Sequence, residues 1–533
     1  MRALRTMGRG TGGTNMADTL GDMIRERAVE RPDAPAITYQ DRTITYGELD
    51  ARSNQVAHAL RAAGIERGDR VAILDKNVPE FFELLLGAGK IGVVLAAVNW
   101  RLAPPEIAQV VNDSTALVLV VGAEFLACIE EIEAQLETVE LVITTESGTN
   151  RPGFSEWRDA QPSDDLMLDV STDEVAVQFY TSGTTGLPKG VMVAHRAMFS
   201  LITAANNALR LTSDSVGMVA MPLFHIAGAG WGIICLIDGV HIVLLREVDP
   251  GVILRDIPKY GITHAVYVPA VLQFLVAVPG VDGTDFSSLD TILYGASPIS
   301  EDILVKSIEV FGCRFLQAYG LTETAGAVVL LPPEDHDVGG LNAHRLRAAG
   351  RPMAGVELRV VDIEGDDCAV GKVGEVWIRS PSNMEGYWNL PEATAASITH
   401  DGWFLSGDAG YLDGDGYLYI HDRIKDMIIS GGENIYPAEI ESALMSHPAV
   451  ADVAVIGVPD DTWGEAVKAI VVRAPDADLT DHELMAYSRE RLAHFKCPTS
   501  VDWTDALPRN PSGKILKTDL REPYWAGEER RVH

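Results

Sequence analysis

Short apolar runs alternate with helical stretches over most of this chain, and that alternation most constrains the fold. The stretch TYGELDARSNQVAHALRAAG, starting at Thr45, predicts a helix. Thr45 and Glu48 have capping-box spacing, and Leu49, Val56, Leu60 and Ala63 share one face. RVAIL (Arg70–Leu74) reads as a strand, VPEFFELLLGAGKIG as a helix, GVVLAAV and ALVLVV (Ala116–Val121) as strands, and residues about 123–136 as a helix. Strands interleaved with helices call for an α/β layered sheet. The pattern returns in AVQFY, THAVYVP, DTILYGA and RFLQAYG, runs that stop at Gly, Pro or a small residue. Open α/β sheets bind ligands beyond the carboxyl ends of their strands, so these ends are candidate site positions.

At 533 residues the chain exceeds one ordinary domain. Between about Pro352 and Tyr419 the character changes: VELRVVD, GEVWIRS and GYLYI are short strands with Gly-Asp turns, a small β unit. After HDRIKDMI a compact α+β stretch follows, with a helix at Pro437–Met445, strands ADVAVIGV and AVKAIVVR, and a helix over 482–493. The expected division is an N-terminal arm over 1–16, a large domain over 17–422 and a small mobile domain over 423–533, with the boundary near Asp422–Lys425. The fold class is therefore α/β: a large layered N-terminal domain with β-sheets and a small β unit, plus a small α+β C-terminal domain.

The arm carries three Arg, no acid and no apolar core, so it is not a secretory signal; it is expected to be disordered. Residues 215–237 are long enough to span a bilayer and uncharged apart from His225, but Pro222, His225 and four Gly break them as one helix. A buried strand, a loop and a second buried element are expected there. Five scattered cysteines without a CxxC indicate a reducing, cytoplasmic setting and no structural zinc. Against 76 acidic residues stand 43 Lys and Arg, a net charge of −33. Such a surface repels nucleic acid and anionic membranes. If the substrates are anions, a local cluster of cations must overcome that field.

The strongest local signal is YTSGTTGLPKG (Tyr180–Gly190). Small residues let backbone N–H groups approach an anion, Thr and Ser add donors, and Lys189 adds charge, so phosphate binding is its natural use. It is not a Walker A loop: Pro188 precedes Lys189 and Gly190 follows it.

This segment resembles the phosphate loop of the adenylate-forming enzymes, the acyl- and aryl-CoA synthetases, luciferases and peptide-synthetase adenylation domains. The resemblance continues in order along the chain. YGLTET (Tyr319–Thr324) is similar to the adenine and magnesium segment, WFLSGDAG to the ribose-binding aspartate motif, DRIKDMIISGGENIYPAEIE to the hinge and thiolation loop, and PRNPSGKILK to the catalytic-lysine segment. It implies that Lys514 bridges substrate carboxylate and phosphate, with Thr184, Glu323 and His225 also at the reacting centre. Glu323 becomes the Mg²⁺ ligand, in keeping with magnesium's preference for few carboxylates. The nucleotide is assigned to Thr181, Ser182, Gly183, Thr184, Thr185, Gly186 and Lys189, to Gly295, Ala296 and Ser297 as the adenine slot, to Ala318, Tyr319, Gly320 and Thr322, and to Asp408 and Arg423. Local cations are then Lys189, Arg423, Lys425, Lys496 and Lys514. Lys425 takes the hinge position.

PLFHIAGAGW resembles the family's acyl-pocket segment. Amino-acid-activating relatives place an Asp where this chain has His225. Without it a buried ammonium would go unpaired, which disfavours amino-acid substrates. Small residues follow (Ala227, Gly228, Ala229, Gly230), read as room for a wide or long apolar group. The expected substrate is a medium- or long-chain fatty acid, with an aryl or sterol-derived acid as alternative. The expected acceptor is coenzyme A, with a carrier protein as alternative. Gly431, Gly432 and Glu433 are placed at the pantetheine tunnel, and Trp463 is either a stacking partner for the CoA adenine or a packing residue. ATP, Mg²⁺ and coenzyme A are the implied cofactors, and a homodimer is left open.

Overall fold

A computed structural model describes residues 19–181, 188–431, 433–460, 462–475, 477–509 and 515–526. The arm over 1–16 lies outside them. Two large sheets carry the N-terminal part. The first has nine strands, with Val216–Val219, His241–Leu244, His264–Tyr267, Thr291–Gly295 and Arg314–Leu321 parallel at its centre. The antiparallel strands Gly326–Leu331 and Arg351–Pro352 extend one edge. The second has seven strands, with Val175–Thr181, Val94–Ala97, Arg70–Leu74, Ala116–Val121 and Leu141–Thr144 in parallel.

Between these sheets lies one continuous core. Helix Pro79–Gly89, FFELLLGAG after its first two residues, is buried on nearly every face, as a helix packed between two layers must be. It lies against helix Tyr46–Ala62. That helix starts as the sequence predicts: Thr45 Oγ1 accepts from Glu48 N at 3.2 Å, and Glu48 Oε2 accepts from Thr45 N at 2.8 Å. Residues 215–237 form strand Val216–Val219, a turn and the buried helix Ile226–Ile237. Among the described residues no helix is long and apolar enough to cross a membrane.

The small β unit is a four-stranded antiparallel sheet of Glu357–Val361, Gly374–Arg379, Phe404–Leu412 and Leu418–Arg423. The C-terminal part has its own sheet, built on the long pair Val450–Asp460 and Gly464–Arg473, and its own core. Two helices are shorter than predicted. The run over 123–136 contains only Leu126–Ile132 as α-helix, flanked by 3₁₀ turns at Ala123–Phe125 and Glu133–Gln135. Glu130, Glu131 and Glu133 crowd its end, where the helix dipole disfavours negative charge. The run over 482–493 is helical as Asp481–Arg489. The chain then turns so that Lys496 Nζ reaches both carboxylate oxygens of Glu439, at 2.8 and 2.7 Å.

Candidate active site

Tyr180 begins the phosphate-loop motif at the end of strand Val175–Thr181. Its hydroxyl donates to Asp113 Oδ2 and receives Gln178 Nε2, each at 2.8 Å. Burial, then Asp113, raises its pKa, so it stays a donor. The strand returns as Lys189–Ala194, with Thr181 opposite Lys189. Ser182, Gly183, Thr184, Thr185 and Gly186 lie outside the described residues. The short strand Gly386–Tyr387 pairs with the returning strand, Tyr387 opposite Val191. This register brings the Tyr387 ring beneath Lys189, whose Nζ is 4.8 Å from the ring centroid.

The same tyrosine reaches the nine-stranded sheet. Its hydroxyl donates to Glu323 Oε1 at 3.0 Å. Glu323 sits in the turn Thr322–Thr324, just past strand Arg314–Leu321, and its carbonyl accepts from Met384 N at 2.8 Å. Burial first, then Glu323, raises the Tyr387 pKa, which keeps the proton on the tyrosine. Nothing in the sequence pattern singled out Tyr387. Its one local signal is a Gly-aromatic pair in the stretch read as the small β unit, whereas its strand joins the seven-stranded sheet.

Asp408 lies on strand Phe404–Leu412 directly opposite Arg423. Its Oδ1 is 2.9 Å from Arg423 Nε, and its Oδ2 accepts from the Tyr319 hydroxyl at 2.7 Å. Arg423 Nη1 also donates to Ser406 O at 2.8 Å. Burial opposes the Arg423 charge, but Asp408, Tyr319, Glu323 and Asp426 together hold its pKa above the ordinary value. Glu323, Tyr319, Asp408 and Arg423 therefore form one electrostatic group, joined to Lys189 through Tyr387.

The adenine-slot residues follow strand Thr291–Gly295. Ala296 has φ +68°, and Ala325, just past Glu323, has φ +54°. Left-handed backbone at a non-glycine residue is strained, and such strain concentrates at functional turns. Ala296 and Ser297 are exposed; Ala318, Gly320 and Thr322 lie along or just past the neighbouring strand. Gly295 serves a different purpose from the one its size suggests. A Cβ there would overlap the Ala318 carbonyl, so its smallness lets two strands pair.

His225 caps helix Ile226–Ile237, its Nδ1 accepting from Ala227 N at 3.1 Å. The run of small residues after it does not open space as expected. A Cβ on Gly228 would overlap the carbonyl oxygens of Met221 and Pro222, and Ala229 is fully buried in the core. Gly228 is thus small for the turn before the helix. Gly230 has no such backbone clash, a Cβ there meeting only the Ile226 side chain at 3.4 Å.

In the C-terminal part, Lys425 is exposed within the turn Ile424–Asp426. Gly431 and Glu433 are exposed at the hairpin of Ile428–Ser430 and Glu433–Ile435, and Gly432 lies outside the described residues. Trp463 is 59% exposed, with one edge of its ring lying against Gly431, and its carbonyl accepts from Gly431 N at 2.8 Å. Lys514 lies outside the described residues. Lys496 departs from expectation: its bidentate pairing with Glu439 neutralises it, so it adds no free charge for an anion.

Comparison with known proteins decides the relationship. An AMP-binding enzyme profile matches residues 24–388, and the profile of the AMP-binding enzyme C-terminal domain matches 439–514. The chain belongs to the AMP-binding enzyme family. It is 43% identical to the fatty acid–[acyl-carrier-protein] ligase of Streptomyces coeruleorubidus, over 97% of this chain and 98% of that protein. It is 37% identical to a long-chain-fatty-acid–CoA ligase of Mycobacterium tuberculosis (95% and 99%), and 39% identical to a feruloyl-CoA synthase of an Amycolatopsis species (95% and 99%). Among solved structures, an anthranilate CoA ligase in complex with anthranoyl-AMP matches with a TM-score of 0.87 at 26% identity, covering 96% of this chain and 98% of that one. This AMP-binding enzyme is accordingly an acid–thiol ligase of the AMP-forming type, with the adenylate-forming fold the sequence implied.

Proposed function

We propose that this AMP-binding enzyme activates a medium- or long-chain fatty acid as its acyl-adenylate and transfers the acyl group to coenzyme A. The observation that carries the reading is the convergence of Glu323, Tyr319, Asp408 and Arg423, with Lys189 linked through Tyr387, at the strand ends where α/β sheets bind ligands. The fatty acid is favoured by two relatives named for fatty acids and by the lack of a carboxylate at His225.

In the first half-reaction a carboxylate oxygen attacks the α-phosphorus of ATP and pyrophosphate departs. Like charges must meet, so the barrier is chiefly electrostatic. Lys189 faces the phosphates. Arg423, held charged, stands beside Asp408, whose remaining lone pairs accept ribose hydroxyls. Glu323 would hold Mg²⁺; its Oε1 already accepts from Tyr387, and a single carboxylate suits an ion that keeps several non-protein ligands. That ion, when bound, would neutralise phosphate charge. Lys514, by the resemblance, bridges the two reacting anions, and Thr184 binds phosphate. His225, fixed as a helix cap, forms a wall of the acyl entrance. In the second half-reaction the CoA thiolate attacks the acyl carbonyl and AMP leaves, with Gly431, Glu433 and exposed Trp463 on the side that receives CoA and Lys425 as the hinge.

The 43% relative favours a second reading, transfer to a carrier protein. Incubation with ATP, Mg²⁺ and a panel of fatty, aryl and sterol-derived acids, with CoA or a phosphopantetheinylated carrier as acceptor, separates them by product mass. Fatty acyl-CoA supports the proposal. Acyl-carrier alone supports the second reading, and aryl-CoA alone overturns the fatty-acid assignment.

A further inference from the structure

Residues on both sides of the turn Ile424–Asp426 are joined by a set of contacts unrelated to substrate. Asp422 lies in strand Leu418–Arg423, opposite Ala409 of strand Phe404–Leu412, so it moves with the N-terminal part. Its Oδ2 accepts from Ala438 N at 2.9 Å, at the start of helix Pro437–Met445, and lies 3.6 Å from Lys517 Nζ. Lys517 begins helix Lys517–Trp525, which packs on strand Val450–Asp460 and is fastened there by Trp525 Nε1 donating to Gly457 O at 2.9 Å. Ala438 and Lys517 therefore move with the C-terminal part. The two Asp422 contacts hold in one relative orientation and separate if the small part turns about Ile424–Asp426.

Lys517 also pairs with Glu441 Oε1 at 2.8 Å, and that oxygen accepts from Val455 N at 2.7 Å. Loss of Asp422 thus leaves Lys517 paired within its own domain. A contact that opens without orphaning a buried charge can be made and released, whereas breaking an isolated buried pair is costly. Lys517 lies three residues after Lys514 in the sequence. The described residues on either side of Lys514 are tied together, Arg509 being bridged to Ile515 and Leu516 N donating to Pro508 O at 2.9 Å. The tip Gly431–Glu433, assigned above to the second half-reaction, is exposed in this orientation at Gly431 and Glu433.

We propose that Asp422 and Lys517 are positioning residues for adenylate formation: their contact across the turn holds the small domain in one orientation, the one that serves the half-reaction to which the resemblance assigns Lys514. This rests on the reading of Lys514 and of the hinge given above.

The test measures the half-reactions separately in the full-length enzyme. Acid-dependent pyrophosphate release reports the first, and thioester formation from chemically prepared acyl-adenylate and CoA reports the second. Asp422→Ala is expected to lower kcat of the first about tenfold, the loss of one charge-assisted contact, with KM for ATP and acid little changed and the second half-reaction retained. Asp422→Asn, which keeps shape and an acceptor for Ala438 N, should fall between. Equal loss in both half-reactions, or no loss in either, overturns the proposal. Spin labels on the two domains give a readout independent of turnover. Asp422→Ala should broaden their distance distribution, and an unchanged distribution overturns the latch. If the unaltered enzyme released no pyrophosphate with any acid, the functional reading would fail while this distance measurement still decided the latch.

Discussion

His195 offers a quantitative test of the large-domain core. The ring is fully buried at the start of helix His195–Leu209. Its Nδ1 accepts from Leu20 N at 3.2 Å, so the neutral ring carries its proton on Nε2, which has no partner among the described residues. A second proton would have to sit on Nδ1, facing another N–H. Burial therefore lowers the pKa from 6.5 to about 4, although Glu174 and Asp22 pull the other way. Because the folded pKa is depressed, the unfolded chain binds more protons between those values. Stability from this group is intact above about pH 7 and is lost as pH falls through 6.5 toward 4. At pH 5 linkage gives a loss of about 2 kcal/mol relative to pH 7. Urea unfolding of the unaltered protein and of His195→Gln, followed at pH 7 and pH 5, should show the unaltered protein losing about 2 kcal/mol more than the variant. Equal losses would refute the argument, because the ring would then not be held neutral by the fold.

Three other outcomes follow from the packing and the site. A Cβ on Gly232 would lie 2.5 Å from Phe82 Cζ, so Gly232→Ala should cost about 1–3 kcal/mol in thermal unfolding, and Phe82→Leu should relieve part of it. Glu83, with 1% of its side chain exposed, pairs with both Arg158 and Arg52; Glu83→Ala should destabilise by about 3–5 kcal/mol in the same assay, because it strands buried charge. Asp408→Ala should raise KM for ATP roughly ten- to a hundredfold, through lost charged hydrogen bonds, while KM for the acid changes little in steady-state kinetics.

Local signals made much of the fold legible. Thr45 and Glu48 announced a helix because a capping box needs only four residues, and Ala116–Val121 and Pro437–Met445 have the predicted bounds. The small β unit and the break in the apolar stretch 215–237 were equally readable, from turn residues and from Pro222. The helix over 123–136 was not, since apolar periodicity continues while accumulating glutamates end the helix early. Within the site, the residues of ordered motifs could be named, but their partners could not. Tyr387 meets Glu323 only because a two-residue strand pairs behind the phosphate loop. The size of Gly228 and Gly295 suggested space for ligand, whereas each answers a nearby backbone carbonyl that no pattern reveals. Lys496 looked like a free cation until the turn after Arg489 delivered it to Glu439.

Acid-dependent exchange of labelled pyrophosphate into ATP tests the central claim most directly, because it requires reversible formation of an acyl-adenylate and no acceptor. Exchange that depends on a fatty acid and Mg²⁺, and is abolished in Lys514→Ala, is the predicted result. Exchange that proceeds without acid, or at an unaltered rate in Lys514→Ala, would contradict it.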